Sequence, residues 1–150
     1  MILEGGVELE RKLLLLERKV GKRVVKKAVR AALKPMLTGS KANARSMIGG
    51  GMGSLIAKNI QLRAFKKQRK GSYGMSVKIK PDVEEFVYNS KDGKRSFIPA
   101  AIEYGHVSRG GGQVAAMPFM RQAAEAWKSV GLQIAAGELR RGIEAAAHGS

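Results

Sequence analysis

Few side chains in this 150-residue chain can do acid–base or metal chemistry, and their spacing limits what they can do. Glu103 and His106 stand three residues apart, a carboxylate and an imidazole close enough to form an acid–base pair. However, His106 opens a stretch rich in glycine, and general acid–base catalysis needs its groups held in fixed geometry. Asp82, Glu84 and Glu85 cluster their acids on the approach to a strand, with nothing nearby to push their pKa values apart, and read as solvated. His106 and His148 are the only histidines and there is no cysteine, too thin a ligand set for a metal. The run Gly49-Gly50-Gly51-Met52-Gly53 has the glycine content of a phosphate loop but lacks its Gly-Lys-Ser/Thr ending, so it reads as a hinge or turn. The expectation is therefore no catalytic residue, no cofactor, no metal and no enzyme.

The remaining chemistry is charge. Lysine and arginine number 28 against 12 acids, a net +16, which calls for a polyanion or an acidic partner. Lys66, Lys67, Arg69 and Lys70 form the densest cluster, and Lys22, Lys26 and Lys27 stand on the polar face of an amphipathic stretch that starts near residue 7. Each group also fits a solvated surface. Aromatics are 5% of residues, which argues against stacking on single-stranded bases. A duplex backbone or an acidic protein surface asks only for bases.

The elements that position these groups follow from periodicity. Leu9, Leu13, Leu16, Val20, Val24 and Ala31 recur at three and four, which predicts one helix over 7–34 that Pro35 ends or kinks. Leu14 and Leu15 widen its apolar stripe. Met36, Leu37, Ala44, Met47 and Ile48 predict a second, short helix over 36–48. Ile60, Leu62 and Ala64, then Met75, Val77 and Ile79, alternate as half-buried strands around a basic tip at 66–72. Phe86 to Tyr88 forms a third strand, Asp92-Gly93 a turn, and Phe97-Ile98 the return. Pro118 to about Ala147 is helical, with Trp127 in register with core positions and Gly131, Gly137 and Gly142 available for close packing or fraying.

Together these predict an α+β fold: a small antiparallel sheet of three to four strands packed against a long N-terminal helix and a C-terminal helix. The chain reads as a single domain over 1–150, with 1–6 and 145–150 flexible. The lack of cysteine fits a reducing cytosol, and neither a membrane span nor a signal peptide is expected.

Residues 97–127, FIPAAIEYGHVSRGGGQVAAMPFMRQAAEAW, read as an apolar turn, a Gly/Ser-rich loop that takes shape against a partner, and a helix start at Pro118. The pattern Ile-Glu-Tyr-Gly-His followed by Ala-Ala-Met-Pro-Phe-Met-Arg-Gln-Ala resembles the tail-completion and neck (head–tail joining) proteins of lambdoid long-tailed bacteriophages. There an acid-aromatic-Gly-Thr turn precedes an Ala-x-Pro-Phe-x-x-x-Ala helix start. Glu103, Tyr104 and Gly105 match the turn, and Ala116, Pro118, Phe119 and Ala123 match the helix start, with His106 in place of Thr. Gly53, Leu55 and Ile60 match a second segment, where Met52 and Asn59 depart from the pattern.

The resemblance implies a non-catalytic virion protein at the neck or tail top, assembled from the host cytoplasm. It would form a ring, sixfold to match a tail tube, between the tube protein and the head connector, with no membrane contact. Subunit contacts are then expected at Glu103, Tyr104, Gly105, His106, Arg109, Pro118, Phe119 and Arg121, with Glu103 pairing a base on its neighbour. The Lys66–Lys70 tip and the basic helix would meet acidic subunits or passing genomic DNA. A lysine-lined lumen would hold sliding DNA, which places most of the charge at interfaces or on the outer wall. A small basic DNA- or RNA-binding protein, using the N-terminal helix and the 66–72 tip, is the alternative reading.

Overall fold

The structure is a computed structural model; it describes residues 5–16, 18–69 and 72–149, without the side chain of Lys19. In order, the chain forms α1 (Gly6–Leu15), α2 (Arg18–Asn43), a π-helical turn (Ala44–Ile48), α3 (Gly50–Asn59), β1 (Ile60–Ala64) and β2 (Met75–Ile79). A single 3₁₀ turn (Glu84–Phe86) follows, then β3 (Val87–Asn89), β4 (Arg95–Phe97), α4 (Ile98–Tyr104), β5 (His106–Val107), β6 (Gln113–Val114) and α5 (Phe119–His148). Two compact units share these elements. One holds Met1–Met36, Leu62–Ser76 and Trp127–Ser150; the other holds Leu37–Gln61 and Val77–Ala126.

The protein is mixed helix and sheet, with long helices toward both ends and small antiparallel ladders. The expected single sheet of three to four strands does not form. Instead β1–β2, β3–β4 and β5–β6 are three separate two-stranded pairs. Each strand is two to five residues long and, among the described residues, pairs only with its own hairpin partner. Phe65 N–H to Gly74 O (3.1 Å) and Lys80 N–H to Asn59 O (3.0 Å) extend β1–β2 at its two ends.

In the first unit the chain breaks where one helix was predicted. Leu16 is extended (ψ 149°) and its N–H bonds back to Leu13 O, ending α1. Gly21 then sits beside Leu13 O, where an added Cβ would lie 3.6 Å away. This change of direction buries Leu9 and leaves Val7, Leu14 and Leu15 exposed, so Leu14 and Leu15 do not join a core stripe. Pro35 does not end α2 either, and the separate helix predicted over 36–48 is the continuation of α2 followed by the π turn. Proline removes one backbone donor. Packing on either side of it sustains the helix: Ala28 is 1% exposed before it, Ser40 and Ala44 0% after it.

The second half of α5 packs on α2 within this unit through its glycines. A Cβ at Gly131 would stand 2.8 Å from Ala32 O, and one at Gly142 would stand 2.5 Å from Val24 Cγ1. Gly137 has open space, and the helix continues past it to His148 rather than fraying. Trp127, expected in the core, is 39% exposed.

In the second unit, Gly49 (φ 71°) reverses the chain after the π turn, and the rest of the glycine run forms the first turn of α3. Gly53 is buried against Ala44 O, which a Cβ would approach to 2.6 Å. The core here is Ile56, Ala57, Ile60, Phe86, Phe119 and Ala123, with Phe86 meeting Phe97 edge to face at 6.0 Å.

Candidate functional site

The residues singled out around position 103 lie within the second unit, and a backbone requirement explains their geometry. A helix begins with N–H groups that have no intrahelical acceptor. At α5 the residue before the helix is Pro118, whose side chain cannot accept a hydrogen bond, so a partner must come from elsewhere. Glu103, on the last turn of α4, supplies it: Met120 N–H donates to Oε2 and Arg121 N–H to Oε1, each at 3.0 Å. Phe119 N–H bonds to Met117 O and Gln122 N–H to Pro118 O, which completes the first four donors.

The rest of the junction locks this arrangement. Arg121 Nε donates to Glu103 Oε1 at 3.3 Å, and its Nη2 donates to the Glu103 carbonyl at 3.1 Å, satisfying an orphan acceptor at the α4 C-terminus. The same guanidinium lies over the Tyr104 ring at 5.2 Å. Met117 N–H bonds to Ile102 O, and Asn43 Nδ2 donates to Phe119 O. Glu103 is 5% exposed. A carboxylate buried that far needs charge-assisted partners, and two backbone donors, a guanidinium and the positive end of a 30-residue helix provide them. Glu103 therefore serves its own chain; the expected pairing with a base on a neighbour is corrected.

Gly105 follows α4 at φ 75°, ψ 168°, a conformation essentially confined to glycine. A Cβ there would lie 2.7 Å from Val114 O and 3.0 Å from Ala116 N. From this point the expected loop is already a hairpin in the isolated chain: His106 pairs with Val114 and Val107 with Gln113. Ser108 N–H to Gly112 O and Gly111 N–H to Ser108 O close its end. A segment shaped only by a partner is thus also corrected.

The hairpin presents apolar groups to solvent. Tyr104 is 68% exposed and Val107 70%, with Val114 and Met117 also open. Residues 104–107 and 113–116 line an open cleft of about 560 Å³. Arg109, at the hairpin turn, lies over Tyr88 of β3 at 5.6 Å. His106 is exposed, and its Nδ1 lies 3.4 Å from Ala101 O, away from an acid–base pairing with Glu103. Pro118 is half-buried, and Phe119 is wholly buried, a core residue rather than a contact residue.

The basic residues lie elsewhere. Lys22, Lys26 and Lys27 are exposed on α2, and Lys66, Lys67 and Arg69 are exposed on the connection between β1 and β2. Lys70 lies outside the described residues. Among the described residues no group of three His, Cys, Asp or Glu side chains is placed to hold a metal, and no helix is long and apolar enough to cross a membrane.

Sequence reasoning missed the capping role of Glu103 and the two arginine–tyrosine stacks. The signal for the cap was available: a helix start led by proline has no local side-chain acceptor, and the nearest preceding acid is Glu103. No protein-family model matches the chain, and no curated protein or solved structure matches it.

Proposed function

We propose that this chain is a structural virion protein of the phage head–tail junction, which completes or terminates the tail tube and joins it to the head connector as a sixfold ring. The observation that carries the reading is the convergence at one junction of the residues on which the resemblance rests. Glu103 caps α5, Gly105 occupies a backbone position closed to other residues, and Phe119 and Ala123 are buried beneath them. The motif is thus a device for building a rigid corner from which an apolar hairpin projects. A ring needs one patch on each subunit to meet a different patch on the next, and an exposed hairpin beside an open cleft is suited to that. The reading involves no catalysis, and the protein would act in the virion after synthesis in the host cytoplasm.

The test is the mass of the full chain by light scattering on a sizing column, alone and with a tail-tube protein. A multiple of the 16.2 kDa chain mass, lost on Val107→Asp with the fold intact by circular dichroism, is expected. A single-chain mass under both conditions overturns the reading.

A further inference from the structure

The charge of the first unit is a separate matter from the hairpin. The sequence of α2, Arg18 to Asn43, contains no acid, and neither does the connection 65–74. On α2, Arg23, Lys27, Arg30 and Lys34 fall along one line at helical spacing, flanked by Arg18, Lys22 and Lys26, and all seven are exposed. From Arg18 to Lys34 the array runs about 24 Å along the helix. The connection that carries Lys66, Lys67 and Arg69 meets this array at Tyr73, whose ring centre lies 5.3 Å from Lys26 Nζ. Two acid-free basic segments distant in sequence thus meet at Lys26 and Tyr73, and Glu138 beside Lys27 offsets little of a charge that repels itself.

A second copy of the chain covers this array poorly. Each copy has 12 acids for 28 bases, Glu8, Glu103 and Glu138 are engaged with Lys12, Arg121 and Lys27 of the same chain, and the exposed cluster Asp82, Glu84 and Glu85 would set three charges against ten bases. An acidic protein is a poor fit as well. Protein interfaces are centred on desolvated aromatic or aliphatic anchors and depleted in lysine; the α2 rows carry no exposed large apolar side chain, and Phe65, 48% exposed, stands at the edge of the connection rather than among the bases. A duplex phosphate backbone fits on each count. It supplies a charge about every 1.7 Å of its axis, more densely than the rows supply bases, and asks for no stacking platform.

We propose that the basic face of α2, together with Lys66, Lys67 and Arg69 of the β1–β2 connection, is a binding surface for the phosphate backbone of a duplex nucleic acid. The contacts go to phosphate, so binding is indifferent to base sequence. This inference does not depend on the ring, and either can fail without the other.

The test is fluorescence anisotropy of the full chain with a labelled DNA duplex and an RNA duplex of mixed sequence, titrated across salt. Engagement of four to six phosphates predicts a loss of roughly 10²- to 10³-fold in affinity between 50 and 200 mM salt. The variants are Arg23→Gln/Lys27→Gln/Arg30→Gln on α2 and Lys66→Gln/Lys67→Gln/Arg69→Gln on the connection. Each is expected to weaken binding and to flatten the log–log salt slope by about 0.9 per contact removed. The control, Lys91→Gln/Lys94→Gln/Arg95→Gln, removes as much charge from the exposed end of the β3–β4 hairpin and should leave both quantities close to those of the parent chain.

Equal losses in the control would overturn the proposal, as would a slope near zero. So would poly-glutamate or anionic vesicles binding as tightly as duplex with the same dependence on the variants. Should the α2 variant fail to fold, the connection variant, in a segment outside any helix, decides the matter alone.

Discussion

Two regions of this protein carry charge, and they treat it in opposite ways. At the α4–α5 junction a single carboxylate, Glu103, is 5% exposed and matched by four donated hydrogen bonds to its side chain and carbonyl. On α2 and the 65–74 connection, ten exposed bases share two segments that contain no acid (seven on α2 and three on the connection). A matched buried charge fixes structure, because its loss leaves backbone donors unsatisfied. An exposed charge contributes little to the fold and stays within reach of a partner, even where, as for Lys27 beside Glu138, it has an ion pair in its own chain. Charge near the junction should therefore govern stability, and charge on α2 should govern binding.

The largest expected effect comes from the glycine that turns the chain off α4. Gly105→Ala places a Cβ 2.7 Å from Val114 O at a backbone conformation that L-residues rarely adopt. It should cost about 3–4 kcal/mol, seen as a large fall in the urea midpoint. A shift of only a few tenths would show that the hairpin is free to move, and that the junction is not the rigid member of the pair.

Glu103→Ala should cost about 2–3 kcal/mol, since it leaves the N–H groups of Met120 and Arg121 without acceptors inside the protein. Glu103→Gln keeps one acceptor oxygen but turns an amide donor toward a second donor, so its cost should be about half of that. Equal costs for the two variants would mean that the negative charge itself, acting on the α5 dipole, carries the stability, rather than the count of satisfied donors. Neither variant should alter the salt slope for duplex binding.

The contrast between the regions also explains what could be read from the sequence. The helix start at Pro118 was legible because proline followed by Phe119 and Ala123 is a local signal, and α5 begins at Phe119. β1 and β2 were legible from alternation, and the Asp92-Gly93 turn from its dipeptide, with Gly93 at φ 75°. The break between α1 and α2 was not legible. Apolar spacing stays in phase from Leu13 through Leu16 to Val20, and neither position 16 nor 17 is glycine or proline.

Alternation predicts that a strand exists but not which neighbour it meets, so the separate β1–β2 and β3–β4 ladders looked like one sheet, while β5–β6 lies in a segment that reads as a loop. Pro35 does not end α2, because the packing that carries the helix past it lies at Ser40 and Ala44, beyond the local window. Glu103 was recognised as important, but its direction was wrong, because its acceptors' partners lie 17 and 18 residues away.

The smallest effect is also the one most specific to the contrast. Lys66→Gln/Lys67→Gln/Arg69→Gln removes three exposed bases from a connection that contains no acid and faces a helix that contains none. If those bases serve the fold, their loss must lower the melting temperature. If they are held together only by the backbone that carries them, their removal relieves repulsion, and the melting temperature should rise by about a degree or less at low salt. Screening fixes the sign of a second observation. At 1 M salt the Debye length falls to about 3 Å, so variant and parent should converge. A variant that melts several degrees below the parent at every salt concentration would place these side chains in the same structural class as Glu103, and the distinction between a region that spends its charge inward and one that keeps it for a partner would not hold.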